Sequence, residues 1–310
     1  MALLTIFSAP KPFTNLSAAT IQRNAIRSWM EMGAEVEVIL LGEEEGLSDV
    51  AKSLGVCHVG GIRRNSSGTP MVSSLFDAAR NVSTSPLLAY VNADILLFQD
   101  FFDTSLRIFA ENKRFLQVGQ RWDLAIPSDL DFSGGWQEKL KRDCKSRGVL
   151  HKPRGSDYFI FPRPCFQDIP DFAIGRAGWD NWMIYKSRVE GWKTIDSTDG
   201  IFAIHQEHDY SHLPEGKSHY HLPETDENIR LAGGKRAIFM LGDATWVYQQ
   251  GQLHRVRWSW RKFLREIEIF PLVSLKSMVL GEIIYYLFHP KNAYGLIRSW
   301  FGIWIKKRRP

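Results

Sequence analysis

The stretch Leu87–Leu97, Leu-Leu-Ala-Tyr-Val-Asn-Ala-Asp-Ile-Leu-Leu, most constrains what this chain can become. A short run rich in Leu, Val, Ile and Tyr is the signature of a fully buried central strand. Asn92-Ala93-Asp94 interrupts it, and a carboxylate inside such a strand is costly unless compensated. The spacing predicts that the strand ends at Val91 and that Asp94 emerges at its carboxyl end. Ligands of open α/β sheets bind at that edge. An Asp there serves as a cation or ligand partner, or as a turn or helix-cap residue.

The preceding residues supply neighbours. Leu3–Phe7, Val36–Leu41 and Val56–Val59 read as buried strands. Between them lie helices from Asn15 or Ser17 to about Met32, over Leu47–Leu54 and over Met71–Val82. Alternating strands and helices predict a doubly wound parallel sheet. Right-handed crossovers bring the strands' carboxyl ends to one side. Ser8–Pro12, Glu43, Arg63–Thr69 and Asn92–Asp94 are then expected around one crevice. No Gly-x-Gly-x-x-Gly follows the first strand and no Walker lysine motif occurs, which argues against nicotinamide and P-loop chemistry.

Composition narrows the class. The 310 residues are 44% hydrophobic, enough for one large core with an appendage. Cys57, Cys144 and Cys165 have no metal or redox spacing, which fits a reducing compartment. The N-terminus reads as a first strand rather than a signal peptide, and no long charge-free apolar stretch predicts a spanning helix. The net charge of +5 is uneven: residues 251–310 hold twelve basic and three acidic side chains, +9, leaving −4 for the first 250. The domain boundary is expected there, with 1–250 the body and 251–310 a basic, aromatic-rich helical tail. Basic residues beside Trp, Phe and Leu over 252–310 fit helices lying on an anionic membrane surface. Nucleic-acid binding and simple packing on the body are the alternatives; the reading taken is membrane, without nucleic acid.

The second half holds the other chemistry-bearing residues. Phe115–Val118, Asp157–Pro162 and Trp192–Ile195 read as strands, and Gly178-Trp179-Asp180-Asn181-Trp182 opens a helix. Asp180 is either a helix-start partner of backbone N–H groups or a general base. Its flanking tryptophans offer flat faces to a sugar ring. His205, His208, His212, His219 and His221 cluster after a late strand. Imidazoles there either meet water or join Asp94 around Mn2+ or Mg2+.

Three motifs in this order resemble the nucleotide-diphospho-sugar transferases of the GT-A fold, close to the family 2-like group. Asn92-Ala93-Asp94 stands where that family has Asp-x-Asp, with Asn92 replacing the usual first aspartate. Gly178-Trp179-Asp180-Asn181 resembles the acidic motif opening the acceptor-side helix, and His205-Gln206-Glu207-His208 the late His motif. The resemblance spans residues 3 to about 212. It implies an α/β fold of GT-A type, Rossmann-like, with a mostly parallel central sheet flanked by helices and here a C-terminal helical extension.

It also implies an inverting glycosyltransferase that takes a nucleotide-sugar donor, a UDP-sugar foremost, and a glycan or lipid-linked acceptor. Such an enzyme is expected in the cytoplasm, on the inner face of the membrane. Ser8 and Pro10 would line the nucleoside pocket, with Glu43 and Asn65 reaching into it. Asp94 and His205 or His208 would hold the metal, with Asn92 beside them. Asp180 would be the base. Arg121 and Asp123 are candidates for donor contacts and Asp157 and Trp179 for acceptor contacts; the charged ones are equally salt-bridge partners. The rivals are a nucleotidyltransferase making nucleotide sugars and a non-catalytic module binding glycan or membrane.

Overall fold

A computed structural model describes residues 1–207, 222–292 and 294. The expectations for His208, His212, His219 and His221, and for Trp300 through Arg309, lie outside the described residues. Among the described residues the chain runs β1 (Leu4–Ser8), α1 (Leu16–Met30), β2 (Val36–Leu41), α2 (Leu47–Leu54), β3 (Cys57–Val59), α3 (Val72–Val82), β4 (Leu87–Val91), β5 (Ile95–Leu96), α4 (Gln99–Glu111), β6 (Phe115–Val118), β7 (Trp122–Leu124), α5 (Trp136–Arg147), β8 (Val149–Leu150), β9 (Tyr158–Pro162), α6 (Trp179–Val189), β10 (Lys193–Asp196), β11 (Ile204–Gln206), α7 (Pro223–Leu231), β12 (Trp246–Gln249), β13 (Gln252–Arg255), α8 (Trp260–Val273) and α9 (Met278–Phe288).

The expected α/β fold, with a mostly parallel sheet flanked by helices, is what the chain adopts. Nine strands form the large sheet in the order β13-β12-β10-β6-β9-β4-β1-β2-β3. Strands β1 to β4 are mutually parallel, as read from the sequence. The exceptions are β9 and β13. Strand β9 runs antiparallel between β4 and β6, so its first residues meet the last residues of β4: Tyr158 pairs with Val91. That reversal positions the site, because it delivers Asp157 to the turn after β4.

Successive side chains of a strand point to opposite faces, and in β4 both faces are buried. Leu87, Ala89 and Val91 join one core with α1 and α4. Leu88 and Tyr90 join the other with α3, α6 and α8. Asn15 starts α1, its side-chain oxygen accepting from the Ala18 N–H at 3.0 Å. Trp29 on that helix is fully buried, and Ile21 and Ala25 are buried with it.

A second, four-stranded sheet, β5-β11-β7-β8, sits beside the first. Its register sets Ile95 opposite His205 and His205 opposite Asp123. Helix α5 covers it through Trp136, Leu140 and Cys144, so this charged helix is less exposed than its sequence suggests. The cysteines are free thiols.

The boundary expected at residue 250 falls inside a hairpin. Strand β13 pairs with β12 and carries the sheet to Arg255. Helix α8 packs its Ile269 and Leu272 into the second core. No helix of the described residues is long and apolar enough to cross a membrane.

Candidate functional site

Asp94 emerges beyond the buried residues of β4, in a turn closed by the Ile95 N–H donating to the Asn92 carbonyl at 3.1 Å. Three further elements hold this turn. From β9, the Asp157 carbonyl accepts from the Asn92 N–H at 2.9 Å, and its carboxylate accepts from Asn92 Nδ2 at 2.9 Å. From α1, Trp29 Nε1 donates to the Ile95 carbonyl at 2.9 Å. From β11, the Gln206 N–H and Nε2 each donate to the Asp94 carbonyl at 3.2 Å. Asn92 is therefore fixed to Asp157 through both its backbone and its side chain.

The register of the small sheet lines up a polar row beside Asp94. Asp123 accepts from Arg121 Nε at 3.1 Å, from His151 Nδ1 at 2.7 Å and from His205 Nδ1 at 3.1 Å. Arg121 also donates to Asp157. Burial pushes the Asp123 carboxyl up, but His151 and Arg121 outweigh it and hold the group below its ordinary range. An ionised carboxylate only accepts, so Nδ1 of His205 carries its proton toward Asp123. Nε2 then faces the Asp94 carboxylate, 3.6 Å from Oδ2. Burial disfavours the His205 imidazolium; Asp94 more than offsets this, and the ring's pKa lies above its ordinary value.

The residues fit a divalent cation. A histidine whose far nitrogen is fixed by a carboxylate presents the other nitrogen as a ligand. Imidazole plus carboxylate suits Mn2+, and Mg2+ is satisfied by carboxylate and phosphate oxygens. Asp94, Asp123 and Asp157 bring three carboxylates together, Asp123 and Asp157 paired with the Arg121 guanidinium and Asp94 within the field of the Lys11 ammonium. Among the described residues no group of three or more His, Cys, Asp or Glu side chains is arranged to hold a metal ion, so Asp94 and His205 would be two ligands and a diphosphate's oxygens would have to supply the rest.

Asp180 lies in the first turn of α6, after Gly178 at φ 109°, a conformation that favours glycine. The Gly178 N–H donates to Asp180 Oδ1 at 3.2 Å. A Cβ on Gly155 would sit 3.6 Å from Asp180 Oδ2, so the acid borders the loop leading to Asp157. Burial raises the Asp180 pKa, and the charge of Asp157 adds to the effect.

Several expectations need correction. Trp179 offers no face to a sugar. It is 5% exposed, packed at 5.1 Å edge-on to Tyr90 and 5.2 Å from Phe159. Trp182 is equally core, against Phe172. The physical reason is the helix's amphipathic face, which turns both rings into the second core. Ser8 is fully buried and spends its hydroxyl on the Val91 carbonyl at 2.6 Å, tying β1 to β4; Pro10 is buried beside it. Asn65 is committed to its own turn, accepting from Ser67 and Thr69 N–H, and donates to Glu224 at 2.7 Å. Glu43 is exposed and accepts from the Gly61 N–H at 3.1 Å. Arg121, Asp123 and Asp157 are partners of one another, the salt-bridge alternative.

The sequence alone gives His151, Gln206 and Lys11 no individual role, although Lys11 falls in the stretch expected at the crevice and Gln206 in the late His motif. His151 follows β8, paired with β7, and no local pattern foretells that pairing. Gln206 is fully buried one residue after His205, where strand alternation turns it to the opposite face. Lys11 follows β1 and its ammonium feels the Asp94 carboxylate, although burial outweighs this and lowers its pKa.

No family model matches the chain, and no curated protein matches it. Among solved structures it is similar to the mannosyltransferase PcManGT from Pyrobaculum calidifontis in complex with GDP-Man and Mn2+, at 13% identity and TM-score 0.44 over 67% of this chain and 58% of that one. It is similar to glucosyl-3-phosphoglycerate synthase from Mycobacterium tuberculosis in complex with Mn2+, UDP and phosphoglyceric acid, at 14% identity and TM-score 0.48 over 75% and 79%. It is also similar to TarS of S. aureus in complex with UDP-GlcNAc, at 10% identity and TM-score 0.49 over 75% and 65%. The chain thus spans less than two thirds of the length of the mannosyltransferase and of TarS. Likenesses this distant carry no weight on chemistry, which rests on the site itself.

Proposed function

We propose that this chain is a GT-A-type glycosyltransferase that moves a sugar from a nucleoside-diphosphate donor to an acceptor hydroxyl. The observation that carries the reading is the Asp123–His205–Asp94 row beside the turn after β4, with imidazole Nε2 and carboxylate 3.6 Å apart. Asp94 and His205 would hold Mn2+ or Mg2+, which neutralises charge growing on the leaving diphosphate. Asn92, Arg121 and Asp157 keep the Asp94 turn and the Asp123 carboxylate in position.

Asp180 is the base that takes the acceptor hydroxyl's proton. Its raised pKa brings it closer to working pH, where a general base is most effective. Attack from the acceptor side, opposite the leaving diphosphate, inverts the anomeric centre. A UDP-sugar is the foremost donor.

The tail supports a membrane-bound acceptor. On α8, Trp260, Phe263, Ile267 and Phe270 recur at helical spacing and are exposed, as are Val279, Ile283 and Leu287 on α9. Such a face, set among arginines and lysines, suits an anionic membrane surface at the cytoplasmic leaflet, where a lipid-linked acceptor would be met.

Mn2+-dependent hydrolysis of nucleotide sugars, measured for the wild type, Asp94→Ala and Asp180→Ala, tests the reading. Both variants are expected to lose activity. Unchanged rates in both variants refute the roles given to Asp94 and Asp180, and a wild type that hydrolyses no nucleotide sugar leaves a non-catalytic binding module.

A further inference from the structure

A cavity whose lining does not include Asp94 lies between the 235–243 segment, α8 and α9. Its volume is about 690 Å3, within the range of small-molecule sites. Six of its lining residues are basic and two, Asp243 and Glu268, are acidic, so it carries +4. Its floor is apolar, with Ile269 and Leu272 reaching in from α8.

The basic residues fall into two groups. Arg236, Lys262 and Arg265 are structurally engaged. Arg236 pairs with Glu282 at 3.1 Å, Arg265 with Asp243 at 2.8 Å, and Lys262 with Glu266 at 3.0 Å. Lys235, Arg257 and Arg261 have no hydrogen bond or ion pair among the described residues, although all three line the cavity. Three uncompensated cations converging on one concavity repel one another, and an anion removes that cost. Phosphate oxygens suit arginine especially, because the guanidinium fork binds them in pairs.

The mouth points to the source of that phosphate. Arg257 and Arg261 line the cavity, while Trp258 and Trp260 between them turn outward, 70% and 71% exposed. Tryptophan beside arginine at a rim is the arrangement of a membrane interface. We propose that this cavity binds the phosphate headgroup of an anionic phospholipid, with Lys235, Arg257 and Arg261 as direct ligands and the apolar floor beneath it. The assignment of a lipid as source rests on the membrane reading above; the cavity and its charges do not.

The test uses the full chain with phosphatidylcholine vesicles containing about one third phosphatidylglycerol. Lys235→Gln, Arg257→Gln and Arg261→Gln are combined in one variant. Lys139→Gln, Arg142→Gln and Lys145→Gln on exposed positions of α5 form the charge-matched control. Each basic residue at a lipid surface is worth about fivefold in affinity, so the cavity variant should bind on the order of 100-fold more weakly. The control should change by no more than about twofold, since charges away from the surface are screened.

Short-chain phosphatidylglycerol below its micellar concentration should raise the melting temperature of the wild type but not of the cavity variant. Equal losses in both triple variants overturn the site in favour of diffuse attraction. Protection by pyrophosphate equal to that by the lipid overturns the lipid assignment. Vesicle binding that survives the cavity variant but is lost in Trp260→Ala with Phe263→Ala overturns this site while leaving the membrane reading intact. A wild type that ignores the vesicles overturns both.

Discussion

Replacing Asp123 with Asn isolates what the carboxylate does for the site. Asp123 accepts from Arg121 Nε, His151 Nδ1 and His205 Nδ1 at 3.1, 2.7 and 3.1 Å. Asparagine keeps the shape but has one acceptor oxygen, and its amide must face one of these three donors. Converting charge-assisted bonds into neutral ones costs about 1 kcal/mol each, so the fold should lose roughly 1–3 kcal/mol. For a chain of this size that is a drop of about 1.5 °C per kcal/mol. The larger effect falls on His205, whose Nδ1 proton no longer has a fixed acceptor. Removing such a supporting carboxylate lowers metal affinity about 10–100-fold, or about 1.4–2.8 kcal/mol. Calorimetric titration with Mn2+ measures it directly. A folded Asp123→Asn protein that binds Mn2+ as tightly as the wild type refutes the role given to the Asp123–His205 pair.

Other perturbations address the scaffold and the tail. Trp29→Phe removes the donor to the Ile95 carbonyl and leaves that acceptor buried; a loss of about 1–3 kcal/mol is expected in denaturant unfolding, with weaker Mn2+ binding because the Asp94 turn is loosened. Unchanged stability would show that the bond is dispensable. Burial pushes Glu266 up, but Arg188 and Lys262 more than reverse it, so its folded pKa lies below the ordinary value. Its contribution is present above the unfolded pKa of about 4.3 and is lost as pH falls through the folded value. Limited proteolysis across that window should show α8 becoming cleavable, and Glu266→Gln should remove the pH dependence.

The sequence was most legible where local pattern and tertiary role coincide. The runs at Leu4–Ser8, Val38–Leu41 and Leu87–Val91 are buried on both faces, so a short, mostly apolar run was a sufficient sign. The placement of Asp94 at a strand end followed from the cost of burying it in the strand. Asp157 was harder. Its bond to Asn92 depends on β9 running backwards between β4 and β6, and strand direction leaves no trace in composition. The Asp123–His205 contact likewise depends on the register of two three-residue strands far apart in the chain. Trp179 misled because an aromatic residue beside an acid reads equally as ligand platform or core, and only packing decides. Ser8 misled for a similar reason: its hydroxyl closes a sheet that already buries it.

The central claim is that the turn after β4 holds a metal-bound nucleoside diphosphate. The most direct measurement is the melting temperature with nucleoside diphosphates and nucleotide sugars, with and without Mn2+. At a hundredfold excess over Kd a ligand of the native state stabilises by about 2.7 kcal/mol, which for this size corresponds to roughly 4 °C. We predict such a rise for at least one nucleotide, present only with Mn2+ and absent in Asp94→Ala. No rise with any nucleotide, or the same rise in Asp94→Ala, would contradict the assignment.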